Sequence, residues 1–227
     1  MNINQSGRSM VEMLGVLAII GVLSVGAIAG YSTAMNKYKS GKTIQQISGI
    51  IANMKTIYYG QKYFNAKNSD ISWAGKHDFT QEAAQVGIFS DIQKKKKKNG
   101  ALTIKNPFNG TYEVARTIAA SENSFSLMVF SIPKEICIDL ATADWGTLNT
   151  TGYIGIAIGK EISGFNKTRF QACLAHAINA KASCWNNYNH CTAGGGNSVC
   201  GRSFSPTEAL EYCNCKGNNC AFGVVFQ

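Results

Sequence analysis

The chain has 227 residues, with 22 Lys and Arg against 13 Asp and Glu and a formal net charge of +9 at neutral pH. Its length allows one ordinary domain with an appended segment and leaves little room for two, and its basic balance favours anionic partners over cationic ones. Eight cysteines, all at or beyond Cys137, argue against a routine cytosolic protein, because such a density belongs to an oxidising compartment.

The first element is apolar. From Met13 to Asn36 there is no Asp, Glu, Lys or Arg, a stretch longer than the roughly 20 residues a helix needs to cross the hydrocarbon core. Arg8 precedes the run and Lys37, Lys39 and Lys42 follow it, so charge counting alone leaves its orientation open. The exported cysteines place the N-terminus in the cytoplasm and the remainder outside. One carboxylate, Glu12, sits at the head of the run. An ionised acid carried to the bilayer centre costs about 2.5–3.5 kcal/mol, so Glu12 calls for a partner. Two simpler readings compete: a secretory signal peptide cut after Ala27-Ile-Ala29, and a plain single-pass anchor. Glu12 and the length of the core argue against the first; the second explains the length and leaves the acid unexplained.

Gly7, four residues, Glu12, and then an apolar run containing Gly15, Gly21 and Gly26 and ending at Tyr31 together resemble the N-terminal processing and methylation motif of type IV pilins. The resemblance implies a leader of residues 1–7, removed by a prepilin peptidase on the cytoplasmic face. It implies that Arg8 becomes the N-methylated first residue of the mature chain and Glu12 its fifth. It further implies that Glu12 pairs with the α-amino group at Arg8 of a neighbouring subunit as the helix leaves the bilayer for a filament core. A charge that is costly alone in lipid becomes tolerable beside an opposite charge, so this pairing would set the register of assembly. The family's first mature residue is generally Phe or Met. Arg8 would add a guanidinium to the α-amino group facing the single carboxylate.

Beyond Tyr31 the pattern turns amphipathic, with Met35, Tyr38, Ile44, Ile47, Ile50, Ile51, Met54, Ile57 and Tyr58 spaced mostly by three and four, which is helix period. No proline precedes Pro107, so a single helix is expected over residues 8–63, with a membrane or filament-core part (8–36) and an amphipathic part (37–63). Residues 64–227 are expected to form one globular head. Within it, residues 80–89 read as a short helix opened by Thr80 and Glu82. Tyr112–Ile118, Ser124–Ile132, Tyr153–Ile158 and Ala221–Phe226 read as strands, and helical windows fall at Pro133–Leu140, Thr168–Ala180 and Pro206–Tyr212. The fold class is therefore α+β: a long N-terminal membrane-spanning helix continuing into a head with an antiparallel sheet and a disulfide-rich C-terminal region. Asn106-Pro-Phe-Asn-Gly110 is a turn in which proline fixes one dihedral and Asn-Gly supports positive φ. That turn, Ile136-Cys-Ile-Asp-Leu140 and the final Cys-containing segment before an apolar strand resemble the head of the type IVb subclass.

That second resemblance implies a disulfide between Cys137 and Cys213 enclosing a region exposed on the filament. The pairing of Cys173, Cys184, Cys191, Cys200, Cys215 and Cys220 stays open. The Cys-rich region 173–220 reads from Ala182 onward as an exposed loop held by disulfides rather than by a core. Metal binding is disfavoured, since the cysteines and His77, His176 and His190 show no zinc-site spacing. No catalytic motif or cofactor site is evident, and Gly194-Gly-Gly196 lacks the context of a phosphate loop. Lys94, Lys95, Lys96, Lys97 and Lys98 read first as a solvated loop and second as an anion-binding surface for DNA, polysaccharide or lipid headgroups.

The expectation is a non-enzymatic prepilin that resides in the inner membrane and then polymerises, with copies of itself and related pilins, into a helical filament on the cell surface. The peptidase and the pilus assembly machinery would be its other partners. The alternatives are a pseudopilin of type II secretion and a monomeric anchored or secreted binding module built on the cysteine loops. An exported enzyme ranks behind both.

Overall fold

The computed structural model describes residues 10–58, 78–116, 125–146, 151–160 and 197–226. Helix α1 covers Met10–Tyr58 without a break; residues 59–63, expected to continue it, lie outside the described residues. The chain divides into two compact units, residues 1–41 and 42–227.

In the first unit α1 leaves its large apolar side chains in the open: Leu14, Leu17, Leu23 and Ile28 are all more than 60% exposed. In the second unit α1 becomes one-sided. Ile47, Ile50 and Met54, spaced by three and four, are fully buried, and Ile44 and Ile51 pack partly against the same core. Tyr38 and Ile57, counted on the apolar stripe from sequence, are exposed.

Among the described residues seven strands, β1 (Lys94–Lys96), β2 (Leu102–Lys105), β3 (Thr111–Arg116), β4 (Phe125–Ile132), β5 (Tyr153–Lys160), β6 (Asn197–Cys200) and β7 (Cys220–Phe226), form one sheet. Their order is β1-β2-β3-β4-β7-β5-β6, and every pairing is antiparallel. The interior strand β7, between β4 and β5, is buried along its whole length. Cys220, Phe222, Val224 and Phe226 belong to the main core cluster, while Ala221 and Val225 are buried outside that cluster. Burial on both faces explains why β7 reads as a continuous apolar run rather than an alternating one.

Helices α2 (Thr80–Gln85), α3 (Lys134–Thr142) and α4 (Pro206–Tyr212) complete the described elements. Helix α2 is shorter than the expected 80–89 because the chain turns at Gly87, whose φ is +89°, a value that suits glycine. It opens at Thr80 with Glu82 in its first turn, as expected, and the Asp78 carboxylate accepts from the Thr80 amide at 2.9 Å. Helix α3 packs on β7 and α4. The helical window at residues 168–180 lies outside the described residues.

Three strands depart from the sequence reading. Lys94–Lys96 forms β1 rather than a loop, and Lys97 and Lys98 follow it into the turn to β2. Among the described residues strand β1 pairs only with β2, and it is exposed throughout, so an edge position accommodates like charges that an interior strand would not. Strand β2 is only four residues long, and β6 lies inside the segment read as an exposed loop. That segment also holds core: Phe204, Ala209, Cys213 and Cys215 are buried.

Asn106-Pro-Phe-Asn-Gly110 forms a tight turn between β2 and β3. The positive φ falls on Asn109, at 65°. Gly110 is required for a different reason: a Cβ there would collide with the Phe130 carbonyl. Strand β4 carries a bulge between Val129 and Ile132 in its pairing with β7, and Ser131 within it has φ 57°.

Candidate assembly helix and disulfide-clasped head

Glu12 occupies the first turn of α1 and is exposed. An acid in a first turn faces the unsatisfied amides and positive dipole end of its own helix. Gly7 and Arg8, the other members of the proposed processing and assembly site, lie outside the described residues. Around Glu12 the helix is apolar on every side: Met10, Val11, Met13, Leu14, Val16 and Leu17 are all at least half exposed. The segment is long and apolar enough to cross a membrane, and none of its most apolar window is buried within the subunit. Ser24 and Thr33 donate their hydroxyls to the carbonyls of Ile20 and Ala29, at 2.7 and 3.2 Å, which hides their polarity along the same helix.

The head holds α1 through a few polar ties among buried apolar contacts. The Tyr112 hydroxyl donates to Gln46 Oε1 at 2.9 Å, and Asn53 Nδ2 donates to the Ile88 carbonyl at 3.0 Å. Lys55 Nζ donates to the Thr151 carbonyl and lies 5.0 Å from the centre of the Phe226 ring. Burial holds the Lys55 ammonium below the usual lysine value and pushes the Tyr112 and Tyr153 phenols up.

Cys137 of α3 is bonded to Cys213, the residue that follows α4, with Cα atoms 5.7 Å apart; both are fully buried. A second disulfide joins Cys215 to Cys220, with Cα atoms 5.5 Å apart. The first ties α3 to the end of α4, and the second closes the short loop from there into β7. Cys200 lies in β6, and Cys173, Cys184 and Cys191 lie outside the described residues. Among the described residues no cluster of His, Cys, Asp or Glu has the makings of a metal site; His77, His176 and His190 lie outside them.

Helix α4 begins with a capping box that the sequence reading overlooked, although Ser205-Pro-Thr-Glu208 displays its signature. The Glu208 amide donates to Ser205 Oγ at 3.3 Å, and the Ser205 amide donates to Glu208 Oε2 at 2.8 Å. The same carboxylate receives Arg202 in a two-pronged contact of 2.8 and 2.7 Å. The Arg202 hydrogen bonds, joined by those from Ser205, hold the Glu208 carboxyl down at about 2.

The lysine run is presented by a well-anchored hairpin. Lys94, Lys95 and Lys96 pair with Ile104, Thr103 and Leu102. The Gln81 side chain both donates to the Leu102 carbonyl at 2.8 Å and accepts from its amide at 2.7 Å. A side-chain amide thus takes the place of a strand partner and ties β2 to α2.

A family model described as PilS N terminal matches residues 37–203. Two curated relatives, each called "Major structural subunit of bundle-forming pilus" and coming from Escherichia coli O111:H- and Escherichia coli O127:H6 (strain E2348/69 / EPEC), are 25% identical over 175 residues. Each alignment covers 77% of this chain and 83% of the relative. Among solved structures, that titled "Crystal structure of type IV b pilin from Salmonella typhi" matches with a TM-score of 0.50 and 15% identity. That match spans 81% of this chain and 97% of the other, and it supports likeness of fold.

Proposed function

Because this chain belongs to the PilS N-terminal family, we infer that it is a type IVb pilin, a structural subunit that assembles with copies of itself into a pilus. The observation that carries this reading is the first unit of α1, an apolar helix that its own subunit leaves uncovered. Such a surface cannot rest in water, because each large side chain left exposed forfeits about 1.5–3 kcal/mol of burial. A bilayer covers it before assembly, and the same helix of neighbouring subunits covers it afterwards.

The finer steps of the proposal follow from the sequence register. A prepilin peptidase cuts between Gly7 and Arg8 on the cytoplasmic side of the inner membrane, and the assembly machinery then draws the subunit into the filament. Glu12 meets the α-amino group at Arg8 of the adjacent subunit. In a dry filament core the ion pair forms only at the correct stagger, and any other stagger leaves an unpaired buried charge. The disulfide-clasped end of the head faces outward and supplies the contacts made by the finished filament.

Intact-mass measurement of protein from membranes and from sheared surface filaments tests the reading. A filament species beginning at Arg8, together with a longer membrane species that retains residues 1–7, is the expected result. A surface species beginning after Ala29 would overturn it in favour of a secreted module, and an uncleaved surface species would point to a plain anchor.

A further inference from the structure

We propose that the β1 edge of the head binds double-stranded nucleic acid through its phosphate backbone, without reading bases. Residues 92–105 hold six lysines and no acid, and Lys94 to Lys98 are all exposed. In the strand portion, alternate side chains fall on opposite faces, so Lys94 and Lys96 share one side about 6.6 Å apart and Lys95 takes the other. Lys97 and Lys98 continue the charge around the turn, which is pinned by the Lys97 amide on the Ala101 carbonyl at 2.8 Å and the Gly100 amide on the Lys97 carbonyl at 3.0 Å.

This array is held in place. The Gln81 clamp on Leu102 fixes β2 from below, and the Lys105 amide donates to the Gln93 carbonyl at 2.8 Å at the hairpin's base. Five ammonium groups therefore project from a preformed strand and turn, and the backbone beneath them pays little ordering entropy on binding.

The chemistry of the run selects among polyanions. All five side chains are lysines, point charges that neutralise phosphates without the planar fork that arginine offers to a single carboxylate or phosphate. Residues 90–107 contain no aromatic side chain, which removes stacking on unpaired bases or sugar rings. The one large apolar residue beside the run on its N-terminal side, Ile92, is buried, so nothing there can insert into a bilayer. Duplex nucleic acid, with one charge per about 1.7 Å of axis, suits a short, dense array of bare charges. The proposal stands whether or not the subunit assembles as inferred above.

The test is equilibrium binding of a fluorescently labelled random-sequence DNA duplex to the full chain in nonionic detergent, read by anisotropy over a salt series. The variants are K94Q/K95Q/K96Q/K97Q/K98Q and, as a charge control elsewhere on the head, K134Q/K216Q. The expected result is a salt slope that falls in magnitude by about four in the quintuple variant, with affinity down about tenfold or more, and a slope unchanged in the control. Equal binding by the quintuple variant, or an equal loss per charge in the control, would overturn the proposal. Preferential binding of polygalacturonate over duplex, at matched anion concentration, would overturn it too. Circular dichroism of the quintuple variant, matching that of the parent chain, separates lost binding from lost fold.

Discussion

Asn106 Nδ2 donates to the Phe130 carbonyl at 2.8 Å, and the same side chain's Oδ1 accepts from the amides of Phe108 and Gly110 at 2.9 Å each. One buried amide thus satisfies three backbone groups and joins the β2–β3 turn to the bulged strand β4. Asn106→Ala strands groups that have no water to turn to, and its cost is expected at about 2 kcal/mol or more. Urea denaturation of the detergent-solubilised chain reads this directly; a midpoint equal to that of the parent would show that the turn is held by proline and glycine alone.

Removing the Cys137–Cys213 bond is expected to cost more than removing Cys215–Cys220. The first closes a separation of 76 residues and the second a separation of 5, so chain entropy assigns about 4–5 kcal/mol to one and about 2 kcal/mol to the other. Denaturation of C137A/C213A and C215A/C220A ranks them. The opposite order would mean that the small loop governs how β7 enters the sheet.

Glu12→Ala is expected to leave cleavage at Gly7 intact while lowering filament yield by about tenfold or more, a loss of at least about 1.4 kcal/mol per incorporation step. The readout is the ratio of sheared filament protein to the mature membrane pool. An unchanged ratio would remove the charge pairing from the account and leave assembly to apolar contact.

Acid should loosen the start of α4. The Glu208 carboxyl is held at about 2, below its ordinary 4.5, chiefly by Arg202. A depressed folded value means that the contribution is fully present above the ordinary value and is lost as pH falls from about 4.5 towards about 2. Glu208→Gln should therefore flatten part of the thermal-midpoint decline across that interval while lowering the midpoint at neutral pH. Parallel curves for the two proteins would show that the pair contributes nothing to stability, a fate common to exposed ion pairs.

How much of this fold can be read from the chain depends on where each segment is buried. Strands β4 and β7 lie inside the sheet and announce themselves as apolar, β-branched and aromatic runs, and α1 does so through its uninterrupted apolar stretch and the spacing of Ile47, Ile50 and Met54. Strand β1 is invisible to that reasoning, because a three-residue edge of lysines owes its conformation to Leu102–Ile104 across the ladder rather than to its own propensities. Asn106 was legible as part of a turn, but its grip on Phe130 was not, since a contact across 24 residues leaves no local trace. The Gly7–Glu12 register is the opposite case: a purely local pattern, visible only in sequence, whose first members lie outside the described residues.

The place of β7 has a consequence for how the head is made. Strand β7 is the last strand in chain order among those described, yet it lies between β4 and β5 and pairs with both. In chain order β4 and β5 both precede residues 220–226, so neither gains the neighbour they share until that last segment has been made. The junction between the two halves of the sheet therefore depends on the last of the described strands. A chain cut short before Cys220 would lack the strand that joins its two halves, together with the Cys215–Cys220 bond, and would be recognisable to any protease as unfinished.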